Sequence, residues 1–150
     1  MPAILIDDEP LFESAPICEH LCDLVAEPTL IGALGTYERA QHAQWTAFIL
    51  TELDAYLWSD FKHTRAYPEE HRSTRITASN AKEIQSALDV LDGELASRDF
   101  LIGNRFSVTD IIVGWSINWA ANTDHLAAFA HLSRYLARLQ EREHCTINPG

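Results

Sequence analysis

The stretch Phe100-Leu-Ile-Gly-Asn-Arg-Phe-Ser-Val-Thr-Asp-Ile-Ile-Val-Gly-Trp115 constrains this chain more than any other, because it contains a complete helix start. Ser107 is placed to cap the helix through the backbone N–H of Asp110, and Asp110 to reach back to the Ser107 N–H. Phe106 before the cap and Ile111 inside it are positioned for a hydrophobic staple. The acid also meets the positive end of the helix dipole. Loss of such a cap costs about 1 kcal/mol. Beyond it, Ile111, Ile112, Val113, Trp115, Ile117 and Trp119 make the helix apolar on almost every side. This pattern predicts a central core helix rather than a surface one.

Charge removes several classes of function. The formal net charge of −11 and the lack of a Lys/Arg stripe exclude a nucleic-acid partner and an anionic membrane surface. Ile111 to Ala121 is the longest apolar run, too short for a bilayer and interrupted by Ser116 and Asn118. No basic segment or cleavage-type site accompanies the short apolar run at the start, so no signal peptide is read. An odd count of three cysteines gives no disulfide framework, which predicts a reducing, cytoplasmic setting.

Two patterns follow one another along the chain. Ala3 to Ile6 reads as a strand, Asp7-Asp8-Glu9-Pro10 as a turn and Leu11-Phe12 as a second strand. Glu13 to Val25 reads as a helix with Ile17, Leu21 and Leu24 on one face, and Pro16 falls in its tolerant first turn. Glu27-Pro28 closes that unit, and a linker runs to Gly35. From Thr36, long helices take over. Trp45, Phe48, Ile49, Leu53, Tyr56, Leu57 and Phe61 recur at three- and four-residue spacing up to a break at Ala66-Tyr67-Pro68. A second helix carries Ile84, Leu88, Leu91 and Leu95. Leu126, Phe129, Leu132, Leu136 and Leu139 mark one or two short helices near the end.

The segment Phe100 to Asp110 resembles the capping-box segment of cytosolic glutathione transferases. There it opens the core helix of the C-terminal domain. Met1-Pro2-Ala-Ile-Leu-Ile, the hairpin, and Glu13-Ser-Ala-Pro-Ile-Cys-Glu-His-Leu21 resemble the second half of that family's thioredoxin-like domain, with His20 where Tyr is usual. Glu38 to Trp45 with Thr51-Glu-Leu53 resembles its first long helix, and Tyr135 to Arg142 its closing helix. The resemblance implies a mainly α chain. A partial thioredoxin-like unit, a β-hairpin plus one helix, occupies 1–28. A linker at 29–35 and a glutathione transferase C-terminal-like, all-helical domain at 36–150 follow.

In that family the Glu-Ser pair holds the γ-glutamyl end of glutathione, a role that carries to Ser14 and Glu13. Free amides at a helix start favour an anion; a plain cap is the alternative reading. Pro2 matches the family's cis-proline, and Met1 before it would pair its backbone with the cysteinyl unit of glutathione. Tyr37, Trp45 and Trp119 fall where the family lines its hydrophobic co-substrate pocket, although aromatic residues at helical spacing also serve as core. Asp54-Ala55 replace the His-Lys found after Thr-Glu-Leu in one bacterial class. The first strand, helix and second strand of the family, with the Tyr, Ser or Cys that activates the thiol, would precede Pro2. The chain therefore reads as shortened at its N-terminus, and no catalytic residue is assigned. Cys18 and Cys22, one turn apart, read as small core hydrophobes rather than metal ligands, and Cys145 as exposed. No metal and no cofactor are expected, with glutathione as co-substrate.

Two functions are compatible with this reading. One is a glutathione transferase-like protein that conjugates glutathione to a small hydrophobic electrophile once the missing half is supplied. The other is a non-catalytic binding or dimerisation module. The strand at Ala3 to Ile6 has an open edge, and an open apolar edge tends to pair. Homodimerisation or other self-association through that edge is the expected consequence.

Overall fold

In the computed structural model, which describes residues 2–25 and 30–147, the capping box at Ser107 is formed. The Ser107 N–H donates to Asp110 Oδ2 at 2.8 Å, and the Ser107 hydroxyl donates to the same oxygen at 2.9 Å. From this cap, α5 (Val108–Ala121) runs through the middle of the molecule. Its buried face includes Ile112, Val113, Ile117 and Ala120. It is not apolar-and-buried all round: Ile111 and Trp115, four residues apart, form an exposed stripe. Phe106 packs edge-on against Phe100, and the Arg142 guanidinium lies 3.4 Å from its ring centre.

The helices around α5 are α2 (Tyr37–Phe48), α3 (Ala55–Phe61), α4 (Thr74–Glu94) and α6 (Ala130–Gln140). Thr36 caps α2 and Ser73 caps α4 through their side chains. Between α2 and α3 the rod continues through π-helical turns at Ile49–Asp54, and after α3 through others at Lys62–Ala66. The spacing of the buried residues supplies a reason. Trp45, Ile49, Leu53 and Leu57 are buried at strict four-residue intervals. In an ideal α-helix each such step overshoots a full turn by about 40°. Widened turns keep the four side chains on one face.

At the other end β1 (Ala3–Ile6) and β2 (Glu9–Phe12) pair antiparallel, Ala3 opposite Phe12 and Ile6 opposite Glu9. The turn is tighter than expected, because Asp7 and Asp8 both take positive φ, 49° and 69°. That is the two-residue hairpin geometry that matches strand twist. Helix α1 (Ser14–Asp23) follows. Its inward face differs from the expected one. Ala15, Cys18 and Cys22 pack against the helical core, Ile17 is buried, and Leu21 and Leu24 face outward. Small residues win the inward positions because α1 packs directly on α5. The proposed end of the first unit at Glu27-Pro28 lies outside the described residues. The segment after it is tied down: Ile31 is buried, and the Val108 N–H donates to the Leu30 carbonyl at 2.8 Å. Among the described residues no helix is long and apolar enough to cross a membrane.

Candidate functional site

The start of α1 is shaped by one unusual backbone angle. Glu13 has φ 74° and ψ 134°, a region that L-residues rarely adopt. This angle turns the chain sharply from β2 into α1. The Glu13 N–H donates back to the Pro2 carbonyl at 3.2 Å, so both ends of the hairpin meet at this corner. The Glu13 carbonyl accepts from the Ile17 N–H at 3.2 Å. Neither Glu13 nor Ser14 is buried, and no side chain caps the helix. The Ser14 and Ala15 amides therefore have no partner within the helix, although Ala15 itself is buried, and Pro16 has no amide to offer. Ser14, Glu13 and Pro2 are thus brought to one exposed corner. Met1 and the Met1–Pro2 bond lie outside the described residues.

The three aromatic candidates are not gathered at one place. Tyr37 is exposed at the start of α2. Trp45 is buried and packs edge-on against Phe48. Trp119 packs against Trp58 and lines a cavity of about 190 Å3 with Leu57, Phe61 and Thr64, which neither Tyr37 nor Trp45 borders. Asp54, at the end of the first π-helical segment, is half-buried; burial pushes its carboxyl above the usual range, and Ser116 pulls the other way. Burial likewise pushes up the thiols of Cys18 and Cys22, which suits packing rather than reactivity. Cys145 is half-buried rather than exposed and borders a cavity of about 440 Å3 with Phe106, Ile111 and Arg142.

The polar seam between α1 and the helical domain was not anticipated from the sequence. Arg39 donates to both Asp23 oxygens, at 2.9 and 2.8 Å, and this bond holds the Asp23 carboxyl below its ordinary value. Next to it, the buried His42 ring sets Nδ1 at 2.8 Å from Thr109 Oγ1 on α5 and Nε2 at 3.2 Å from Glu19. One signal was present in the sequence. Glu19 and Asp23 are spaced to share a helix face, as are Arg39 and His42.

Residues 76–138 match the family model for the glutathione S-transferase C-terminal domain. Among curated proteins, elongation factor 1-gamma of Prunus avium is 29% identical over 139 residues, covering 90% of this chain and 32% of its own. Glutathione S-transferase U22 of Arabidopsis thaliana is 25% identical over 130 residues, covering 87% of this chain and 56% of its own. The chain thus spans about a third of the elongation factor and just over half of the transferase. Among solved structures, a sphingomonad glutathione S-transferase complexed with glutathione superposes with a TM-score of 0.83 at 28% identity, over 95% of this chain and 69% of that one. The ternary complex of BphK, a bacterial GST, gives a TM-score of 0.84 at 26% identity over the same shares.

Proposed function

From the premise that this chain carries a glutathione S-transferase C-terminal domain, we propose that it is a glutathione-binding, transferase-like protein. It holds the γ-glutamyl carboxylate of glutathione at the Glu13–Ser14 corner. The observation that carries this reading is the corner itself. A positive φ at Glu13 turns the chain into α1 and leaves the side chain of Ser14 exposed at a helix start that no side chain caps. Amides at a helix start, helped by the helix dipole, suit a carboxylate. A likeness over most of this chain to a transferase complexed with glutathione supports the same reading. Pro2 would contribute its neighbourhood to the cysteinyl unit, with Met1 before it. Tyr37, Trp45 and Trp119 are separate aromatic contacts rather than one pocket. In the complete reaction a glutathione thiolate attacks a small electrophile. The group that lowers the thiol pKa would come from sequence outside the described residues, which makes conjugation conditional on that contribution.

Isothermal titration with glutathione tests the proposal. Saturable heat at millimolar ligand, lost in Ser14→Ala, is the expected result. Heat that is unchanged in Ser14→Ala, or absent, overturns the assignment of this corner.

A second reading is a non-catalytic module that associates with itself or with another chain. Several curated relatives are named elongation factor 1-gamma, which favours it. So does the exposure of Leu5, Phe12, Leu21 and Leu24 on the hairpin unit. A conjugation assay with a chlorodinitrobenzene separates the two readings: binding without turnover supports the module.

A further inference from the structure

A second hollow, of about 280 Å3, lies where the end of α4 and the following loop meet α6; its polar lining includes Arg98, Asp99, Asn104, His131, Arg134 and Arg138. Its charge runs against that of the molecule. The chain has a formal charge of −11 and eleven Lys and Arg in all, yet three guanidinium groups line this one recess. Asp99 is the one carboxylate among its lining residues, and Glu94 just outside pairs with Arg98, so about one positive charge, that of Arg134, is left in excess.

The recess is held in shape by bonds of its own. Arg138 pairs with Asp99 at 2.7 Å, donates to the Asp99 carbonyl at 3.1 Å and lies over the Phe100 ring. The Asp99 N–H donates to Asn104 Oδ1 at 2.7 Å, which closes the loop. Arg98 pairs with Glu94 one turn back at 2.5 Å. Arg134 differs from both. Its side-chain partner is His131 Nδ1, another base, and among the described residues no carboxylate is in ion-pair reach of it. The first amides of α6 are already taken, since Asp92 Oδ1 accepts from His131 and Leu132 at 2.9 and 3.0 Å. A ligand here would be held by side chains, not by the helix end.

We infer that this recess binds the phosphate group of a small phosphomonoester, with Arg134 as the main contact. Guanidinium forks match the oxygens of a phosphate in pairs. A phosphomonoester carries about −1.5 to −2 charges at neutral pH, which suits Arg134 with the guanidinium groups of Arg98 and Arg138 beside it. The volume leaves room beside the phosphate for a small polar ester group.

Calorimetric titration at low ionic strength with glycerol 3-phosphate, inorganic phosphate and glycerol tests the inference. The proteins are the unsubstituted chain, Arg134→Gln, Arg134→Lys and Arg75→Gln, the last an exposed arginine at the far end of α4. Expected are saturable binding of glycerol 3-phosphate, weaker binding of inorganic phosphate and none of glycerol. Arg134→Gln should weaken binding about tenfold, Arg134→Lys should fail to restore it, and Arg75→Gln should leave it unchanged. A melting curve for each variant verifies folding, and Arg98→Gln gives a second reading of the same recess. Absence of saturable binding overturns the inference. So does equal loss in Arg75→Gln, or full binding in Arg134→Lys, either of which reports a general field. Equal affinity for inorganic phosphate overturns the ester part.

Discussion

The Tyr135 hydroxyl donates to Asp110 Oδ1 at 2.8 Å, joining α6 to the first turn of the core helix. The same oxygen accepts the Leu101 N–H at 3.1 Å, and the other oxygen takes the Ser107 cap. One buried carboxylate therefore closes the start of α5, the loop before it and the last helix. Tyr135→Phe removes one of these donors inside the core. The expected loss is about 1.5–3 kcal/mol, the range for a hydrogen bond to a charged group. Urea unfolding measures it, and a loss under about 0.5 kcal/mol would show that the hydroxyl is dispensable.

Protonation of that carboxylate links folding to pH. Burial is the largest influence on Asp110 and pushes its carboxyl above its ordinary value, against four donors that favour the ionised form. The folded state then keeps the proton to a higher pH than the unfolded chain does. This contribution to stability is complete below the unfolded value and is lost as pH rises through the folded one. Asp54 shifts in the same direction for the same reason. Melting temperatures measured upward from about pH 4 should fall less steeply in Asp110→Asn than in the unsubstituted chain, although the variant is less stable throughout because the amide cannot accept at both positions. Parallel curves would remove Asp110 as a source of the slope.

Gly114 fixes how closely α5 and α6 approach. A Cβ built there would lie 2.5 Å from Leu139 Cδ1. Leu139 is buried, so it has little room to retreat. Gly114→Ala should cost about 1–3 kcal/mol by overpacking, despite the better helix propensity of alanine. Combining it with Leu139→Ala should show a strong favourable coupling in a double-mutant cycle, since the second change removes the clash. Additive effects would place the cost elsewhere.

What the sequence disclosed depended on how local the cause was. The Ser107–Asp110 cap needs only four residues in the right order, so it could be read directly. The buried stripe from Trp45 to Leu57 was visible as apolar spacing, but the π-helical turns that carry it were not. The inward face of α1 was misjudged because Leu21 and Leu24 are greasier than Ala15, Cys18 and Cys22. Close contact with α5 favours the small residues, and that contact is not encoded in α1 alone. At the candidate site, the exposed corner of Glu13, Ser14 and Pro2 joins the hairpin to the helix that directly follows it, a local connection that could be anticipated. Whether Tyr37, Trp45 and Trp119 meet depends on how α2 and α5 pack, which residue spacing does not specify. The Arg39–Asp23 and His42–Thr109 contacts join residues 16 and 67 positions apart.

The seam between α1 and the helical domain gives a local prediction. Arg39 holds Asp23 in a two-point bond, although Asp23 itself is substantially exposed. Arg39→Gln should change global stability by less than about 1 kcal/mol, as exposed pairs do. Its main effect should be regional. Amide exchange in α1 should speed up while α4 and α5 keep their protection, because α1 loses a tether and the core does not. Equal acceleration in α5 would mean that the seam supports the whole domain.

The outer face of the hairpin makes the last prediction. Strand alternation places Ile4, Ile6 and Leu11 on the more covered side and Leu5 with Phe12 on the other. Leu5 is 72% exposed and Phe12 55%, next to strand edges with unpaired backbone groups. An isolated hairpin is marginal in water, and apolar edges recruit further strands. Light scattering over a range of concentrations should show mass rising above that of one chain. Leu5→Lys places a charge on the exposed face, as natural edge strands do, and should return the mass to that of a monomer without lowering the melting temperature of the helical domain. A chain that stays monomeric at every concentration, with hairpin amides protected from exchange, would show that the hairpin is held by α1 alone.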